Sequence, residues 1–309
     1  MSIERDYIDE FRAHLKAASK SPSTIESYSR DAKDFFFFLQ ESNLVLDEVD
    51  ADSFNEYVKN LQSRDSDNSI RRKIIGIRQY FRFLAEFNRT YESPLDYVSI
   101  PERDESLPEG LEDEDIDEIE CVLGSKSRSI KPSRDLAIFY LLSLEGVKAN
   151  EVISLKWSHL FITPTRSTLQ VPGSKGRTIE LSLKSRKAIS AYQSIFNENL
   201  KSFVFERDAL FVSFKGRDFC TVLPQMTRHG LKFLLYEIGN SVGIKHLNTE
   251  LLRHYAVKYQ LGLGKTPGEI MAHFGLKRMG NIAKHVHALK RQSESDCKSG
   301  RPEMDDTSS

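Results

Sequence analysis

Apolar residues recur every three or four positions along most of this chain, and that period predicts helices. Ile3, Tyr7, Ile8, Phe11 and Leu15 recur at helical spacing in a segment over residues 3–18. Ser21-Pro22-Ser23-Thr24 breaks it, and Ser23 or Thr24 is placed to cap the next helix, with Glu26 in its first turn. That helix would bury Ile25, Tyr28, Ala32, Phe35, Phe36 and Leu39. Four consecutive Phe exceed one face, so one or two should pack against a neighbour. A short helix over Asp52–Leu61 and a long one over Ser69–Phe87 follow, the latter with Ile70, Ile74, Ile77, Phe81 and Leu84 as its stripe. Pro94 and Pro101 end the pattern.

Residues 112–121 and a segment starting at Ser133 again carry helical spacing; Gly146 ends the second, and Asn150 is a candidate cap for the next. The period then shortens to two. Ser167–Pro172 and Thr178–Leu183 read as strands around Pro172-Gly173-Ser174-Lys175-Gly176-Arg177, a hairpin with a basic tip. A helix over 184–204, a short strand at Leu210–Val212 and a helix over 224–242 come next. From Asn248 to Leu289 helical spacing runs through Ala256, Val257, Ile270, Met271 and Phe274, and Phe274-Gly275-Leu276 closes a turn. The expected fold class is mainly α with a small antiparallel β-sheet. The expected organisation is an α-helical domain over 1–100, a linker over 101–110, an α+β domain over 111–290 and a disordered tail over 291–309.

The net charge of −1 conceals segregation. Residues 1–120 hold 15 Lys and Arg against 29 Asp and Glu, whereas residues 121–290 hold 26 against 11. A basic body beside an acidic linker points to a polyanion-binding surface, with an uneven solvated surface as the alternative. No apolar run approaches the roughly 20 residues that span a bilayer, so no membrane is expected. The acidic start MSIERDYIDE is no signal peptide. Cys121, Cys220 and Cys297 are scattered, which implies reduced thiols and a cytoplasmic, nucleoid-associated protein. His285 and His287 lack a third ligand, so no metal or other cofactor is expected.

The ordered motifs resemble those of tyrosine recombinases, the phage integrase family, in an Xer-like two-domain layout. In the first domain they are Thr24-x-x-x-Tyr28-x-x-Asp31, the Phe-rich continuation to Leu39, Arg78-x-x-Phe81-x-Phe83-Leu84 and Ser93-Pro94, which resemble the family's core-binding (SAM-like) domain. In the second they are Gly146-Val147-Lys148-Ala149-Asn150-Glu151, the hairpin Lys175, Glu250-x-x-Arg253-His254 and Phe274-Gly275-Leu276, with His285 nine residues on. The resemblance implies site-specific cleavage and rejoining of DNA by a Tyr hydroxyl, two Arg that grip the phosphate and a hairpin Lys as general acid. Position by position, Lys175 and Arg253 match the family. Lys148 stands where it has Arg, Glu250 and Leu276 where it has His, and His285 where it has the nucleophilic Tyr.

The resemblance therefore implies double-stranded DNA as partner, through Arg71, Arg72, Lys73 and Arg78 of the first domain, with Tyr80 interleaved. The second domain would add Lys148, Lys175, Arg177, Arg253, Lys277, Arg278 and Lys284. The expected function is DNA binding without autonomous cleavage, a pseudoenzyme that pairs with itself or with a catalytically complete recombinase subunit. The alternatives are an active recombinase of divergent chemistry, using His285 or a shifted Tyr, and a protein-interaction module that no longer binds DNA.

Overall fold

The computed structural model describes residues 3–87, 100, 110–125, 129–163, 166–173, 176–199, 204–205, 208–214, 222–276, 279–280, 282–283 and 286. The chain forms two units, Met1–Ser106 and Leu107–Ser309.

The first unit is helical: α1 (Ile3–Ala17), α2 (Pro22–Glu41), α3 (Ala51–Gln62) and α4 (Asp67–Phe87). α2 and α4 pack together, with α1 against both and α3 against α4. Phe11, Phe35, Phe54, Tyr57, Ile74, Ile77 and Phe81 form a core whose rings meet edge to face, as for Phe35 and Tyr57 at 5.0 Å. The cap of α2 is Ser21, whose hydroxyl accepts the Thr24 N–H at 3.2 Å, and not Ser23 or Thr24. Pro22 explains the shift: its fixed φ and missing N–H suit the first helical position. The Phe run splits as its excess required, with Phe35 and Phe36 buried, Phe38 half-buried and Phe37 64% exposed. Tyr80 is fully buried, against its expected place among the basic residues; it lies three positions beyond Ile77, on the apolar stripe. Gly76 lets α2 approach α4, since a Cβ there would lie 2.9 Å from Asp31 Oδ2 and 3.2 Å from the Tyr28 ring.

The second unit is built around α6 (Ile130–Ser143), on which nearly every residue from Ser133 onward is buried. α5 (Asp113–Ser125), α7 (Ala149–Ile153), α8 (Leu183–Asn199) and α10 (Thr249–Gly262) pack on it. β1 (Leu160–Ile162), β2 (Ser167–Val171) and β3 (Arg177–Glu180) form an antiparallel sheet in that order, with Leu169 opposite Ile179 and Val171 opposite Arg177. β4 (Val204–Phe205) and β5 (Val222–Leu223) make a small parallel pair. The expected strand at Leu210–Val212 reduces to an isolated bridge from Val212 to Gln225, beside one from Lys156 to Ala209. That pairing also delays α9 (Arg228–Ser241), because Ser213 N–H donates to Pro224 O and Met226 N–H to Phe211 O, holding 224–226 extended. The Asn248–Leu289 pattern divides into α10 and α11 (Pro267–Phe274). Thr266 and Glu269 cap α11 reciprocally, and Gly275 ends it with φ +60°. Among the described residues, no helix is long and apolar enough to cross a membrane.

Candidate functional site

Lys148 and Arg253, among the matched positions of the second unit, meet where α6 ends, α7 begins, β3 passes and α10 meets α11. Gly146 turns the chain after α6 with φ +61°, and a Cβ there would fall 2.6 Å from two atoms of the Phe274 ring. Lys148, not Asn150, is the N-cap of α7, and its N–H donates to Glu151 Oε2 at 2.8 Å. A glutamate at the third helical position thus reaches back to the cap and moves the start of the helix two residues earlier. The Lys148 ammonium is half-exposed, 3.8 Å from Glu151 Oε1.

Arg253 projects from the first turns of α10. Its Nη1 donates to Gly146 O at 2.6 Å and its Nη2 to Phe274 O at 3.3 Å, with its guanidinium carbon 5.3 Å from the Phe274 ring centre. Burial lowers its pKa from the usual value, with Arg177 adding and Glu151 opposing; a guanidinium remains charged nonetheless. Arg177, expected to face phosphate, turns inward. Its Nη1 and Nη2 donate to Glu151 Oε1 and Oε2 at 2.8 and 3.0 Å, a parallel fork, and its Nε donates to His273 O at 2.7 Å. Burial pushes the Glu151 carboxyl up, but the Arg177 fork and the Lys148 N–H outweigh it and hold it below the usual range. Three cations and one carboxylate therefore lie together, and only Lys148 extends well into solvent.

Glu250 occupies the first turn of α10 with its side chain 84% exposed, 4.0 Å from the His254 ring. Leu276 packs on a small cluster of Ala256, Val257, Ile270, Phe274 and Ile282. Lys175, Lys277, Arg278, Lys284 and His285 lie outside the described residues, as do Cys220, Cys297, most of the expected linker and the 291–309 tail. The two phenols that follow Arg253 on α10 belong to the helix packing. Tyr255 donates its hydroxyl to Asp113 Oδ1 at 3.0 Å, and its ring stacks on Tyr259. Burial pushes the pKa of both phenols up, with Asp113 adding to the rise at Tyr255 and Glu145 at Tyr259. Lys258 is paired with Glu112 at 2.5 Å.

In the first unit Arg72 is bonded to Ser27 and to the buried Asp31. Lys73 lies 2.8 Å from Asp65 and 3.9 Å from Asp34, and is largely covered. Arg71 and Arg78 are half-buried on the same helix. Missing from the sequence-derived site are Glu145 and His273, directly behind Arg253. Their signal was available: an acid inside the buried run Leu141–Val147, and a His next to core Phe274.

The sequence model of the phage integrase N-terminal SAM-like domain matches residues 8–87. Along its length the chain is similar to a tyrosine recombinase XerD of Rickettsia bellii, 28% identical and covering 81% of this chain and 83% of that protein. It is also similar to a tyrosine recombinase XerC of Roseiflexus castenholzii, 23% identical over 94% and 95% respectively. Among solved structures, XerH site-specific recombinase bound to palindromic difH substrate, a post-cleavage complex, superposes with a TM-score of 0.72 at 17% identity, covering 88% of this chain and 78% of that one. A lambda integrase dimer bound to a COC′ core site gives 0.66 at 11% identity, covering 91% and 76%. At such identities the structural likeness is one of fold. With the first-domain match and the full-length relatives, it leads to one conclusion: residues 8–87 match the phage integrase N-terminal SAM-like domain, and the chain as a whole is similar to Xer tyrosine recombinases and shares their fold.

Proposed function

We propose that this chain binds double-stranded DNA as a recombinase-fold protein that does not cleave it unaided. One observation carries the second half. His285 stands where the family resemblance expects the nucleophilic Tyr, and no tyrosine follows Tyr259. Tyr255 and Tyr259, which follow Arg253 on the same helix, are engaged in packing and carry raised pKa values, the reverse of an activated nucleophile. Lys148 in place of Arg keeps a charge but gives up the two-pronged grip. Phosphate binding asks less: Lys148 and Arg253, with Lys175, Lys277, Arg278 and Lys284, supply cations without needing a matched nucleophile. A second copy, or a catalytically complete recombinase subunit, would supply the missing chemistry.

The third reading, a protein-interaction module, draws on a specific feature of the first unit, where Arg72 and Lys73 are already paired with Asp31, Asp65 and Asp34. A mobility-shift titration of the full chain on random and inverted-repeat duplexes, across a salt series, separates the possibilities. Duplex binding that weakens log-linearly with salt, with no covalent adduct on a nicked suicide substrate, is the expected result. An adduct lost in His285→Ala or Tyr259→Phe would establish a divergent enzyme. Absence of binding at low salt would overturn the DNA-binding reading and favour the interaction module.

A further inference from the structure

Behind Arg253 lie two side chains to which the family resemblance assigns no role. Glu145, at the end of the α6 run, is 1% exposed, and its Oε1 accepts the Ser182 N–H at 2.8 Å. On α11, the largely buried His273 brings its Nε2 to 3.3 Å from Glu145 Oε2. That is an ion-pair distance, but the ring nitrogen lies off the hydrogen-bond direction and finds no hydrogen-bond partner among the described residues. Burial pushes the Glu145 carboxyl up, yet contacts with His273, Ser185 and Ser182 outweigh it and hold it below the usual carboxylate range. The acid is therefore a buried negative charge facing an imidazole, with Tyr259 of α10 also feeling its field.

The placement of this pair says what it does. The residue after Glu145 is Gly146, whose carbonyl takes Arg253 Nη1; the residue after His273 is Phe274, whose carbonyl takes Nη2. The carbonyl of His273 itself takes Arg177 Nε. One side-chain contact thus cross-ties the two stretches of backbone between which the Arg253 guanidinium is held, and one of them also anchors Arg177.

We infer that Glu145 and His273 are positioning residues, whose contact seats the end of α11 against the end of α6 and thereby sets the orientation of the Arg253 guanidinium. The geometric half stands without any ligand; the consequence for duplex affinity rests on the DNA-binding reading above.

The test has two arms on the full-length protein. In the first, the side-chain Nε–H resonances of Arg177 and Arg253, assigned by their loss in Arg177→Lys and Arg253→Lys, are compared between wild type and His273→Leu. Both resonances should move towards the positions of solvent-exposed arginines in His273→Leu and stay near wild type in His273→Gln, whose amide nitrogen can still reach the Glu145 carboxylate. Unmoved resonances in His273→Leu would overturn the inference. If His273→Leu does not fold, Glu145→Gln, which keeps an acceptor for Ser182, takes its place with the same expectation. In the second arm, duplex affinity at low salt should fall by roughly 3- to 10-fold in His273→Leu and stay within about two-fold in His273→Gln. The loss should vanish in an Arg253→Gln background, where nothing remains to be positioned. An equal loss in that background would mean a global effect and would overturn the inference. Wild-type protein that binds no duplex would sink the DNA-binding reading, while the resonances still decide the positioning role.

Discussion

Gly146→Ala is the sharpest single perturbation the structure offers. The residue sits at φ +61°, where an L side chain costs roughly 1–2 kcal/mol. The new methyl would also meet three atoms of the Phe274 ring at 2.6–2.9 Å. That ring is fully buried, so it cannot swing into solvent, and forcing it aside should cost a further 1–3 kcal/mol or so. The sum, roughly 2–5 kcal/mol, is a large part of an ordinary domain's stability. Trp157, the only tryptophan in the chain, packs 5.0 Å from Phe196 and 5.8 Å from Tyr192, so its fluorescence follows the second unit alone. Its urea midpoint should fall by about 0.7 M or more, given a slope of about 1–3 kcal/mol per M. In a Phe274→Leu background, where the colliding ring atoms are gone, Gly146→Ala should cost only the left-handed share. A midpoint within about 0.3 M of wild type, or a cost undiminished once the ring is removed, would refute the close approach of turn and ring.

Three further outcomes follow from the structure. Gly76→Ala gains helix propensity, about 1 kcal/mol, but drives a methyl against Asp31 and Tyr28; near-UV circular dichroism of the first unit should show net destabilisation of about 1–2 kcal/mol. Arg177→Lys replaces a fork and an Nε bond with one ammonium, and should cost the second unit roughly 1–3 kcal/mol by Trp157 fluorescence, with a smaller cost beside Glu151→Gln. Glu145 and Glu151 both have depressed folded pKa values, so the stability they contribute is complete above the ordinary carboxylate range, near 4.5, and is lost as pH falls through the folded values. Glu151→Gln should flatten that acid limb, while Asp135 in the same unit and Asp31 in the first, both raised by burial, act with the opposite sign.

Much of this molecule was legible in its apolar periodicity, and the exceptions have local causes. The α4 stripe Ile70, Ile74, Ile77, Phe81 and Leu84 is buried as its spacing demanded. Tyr80 belonged to the same stripe, but a hydroxyl-bearing aromatic between basic residues reads as a surface group until its helical angle is counted. Arg177 was misread in a similar way. It stands two residues before buried Ile179 and directly opposite buried Val171, so strand alternation puts its side chain on the inward face. Charge type had outweighed register. Helix starts at Ser21 and Lys148 slipped because caps depend on which side chain reaches which N–H, a matter of torsions that residue types alone leave open. The Glu145–His273 contact joins residues 128 positions apart and had no local spacing to reveal it.

The internal use of the two arginines changes what their presence means. A residue matching a catalytic position is ordinarily taken as a sign of catalysis, but Arg253 binds two carbonyls and covers the ring of Phe274, and Arg177 ties Glu151 to the end of α11. Losing Arg253 would leave the Gly146 and Phe274 carbonyls without it, and losing Arg177 would leave the His273 carbonyl and Glu151 without theirs, at a cost of about 1–3 kcal/mol for each group left without a partner. Packing alone therefore gives a structural reason for Arg253, whereas the Lys148 side chain has no comparable duty beyond its 3.8 Å approach to Glu151. On the proposed reading, an arginine built into the turn and a lysine that reaches solvent need no phosphodiester cleavage to account for them.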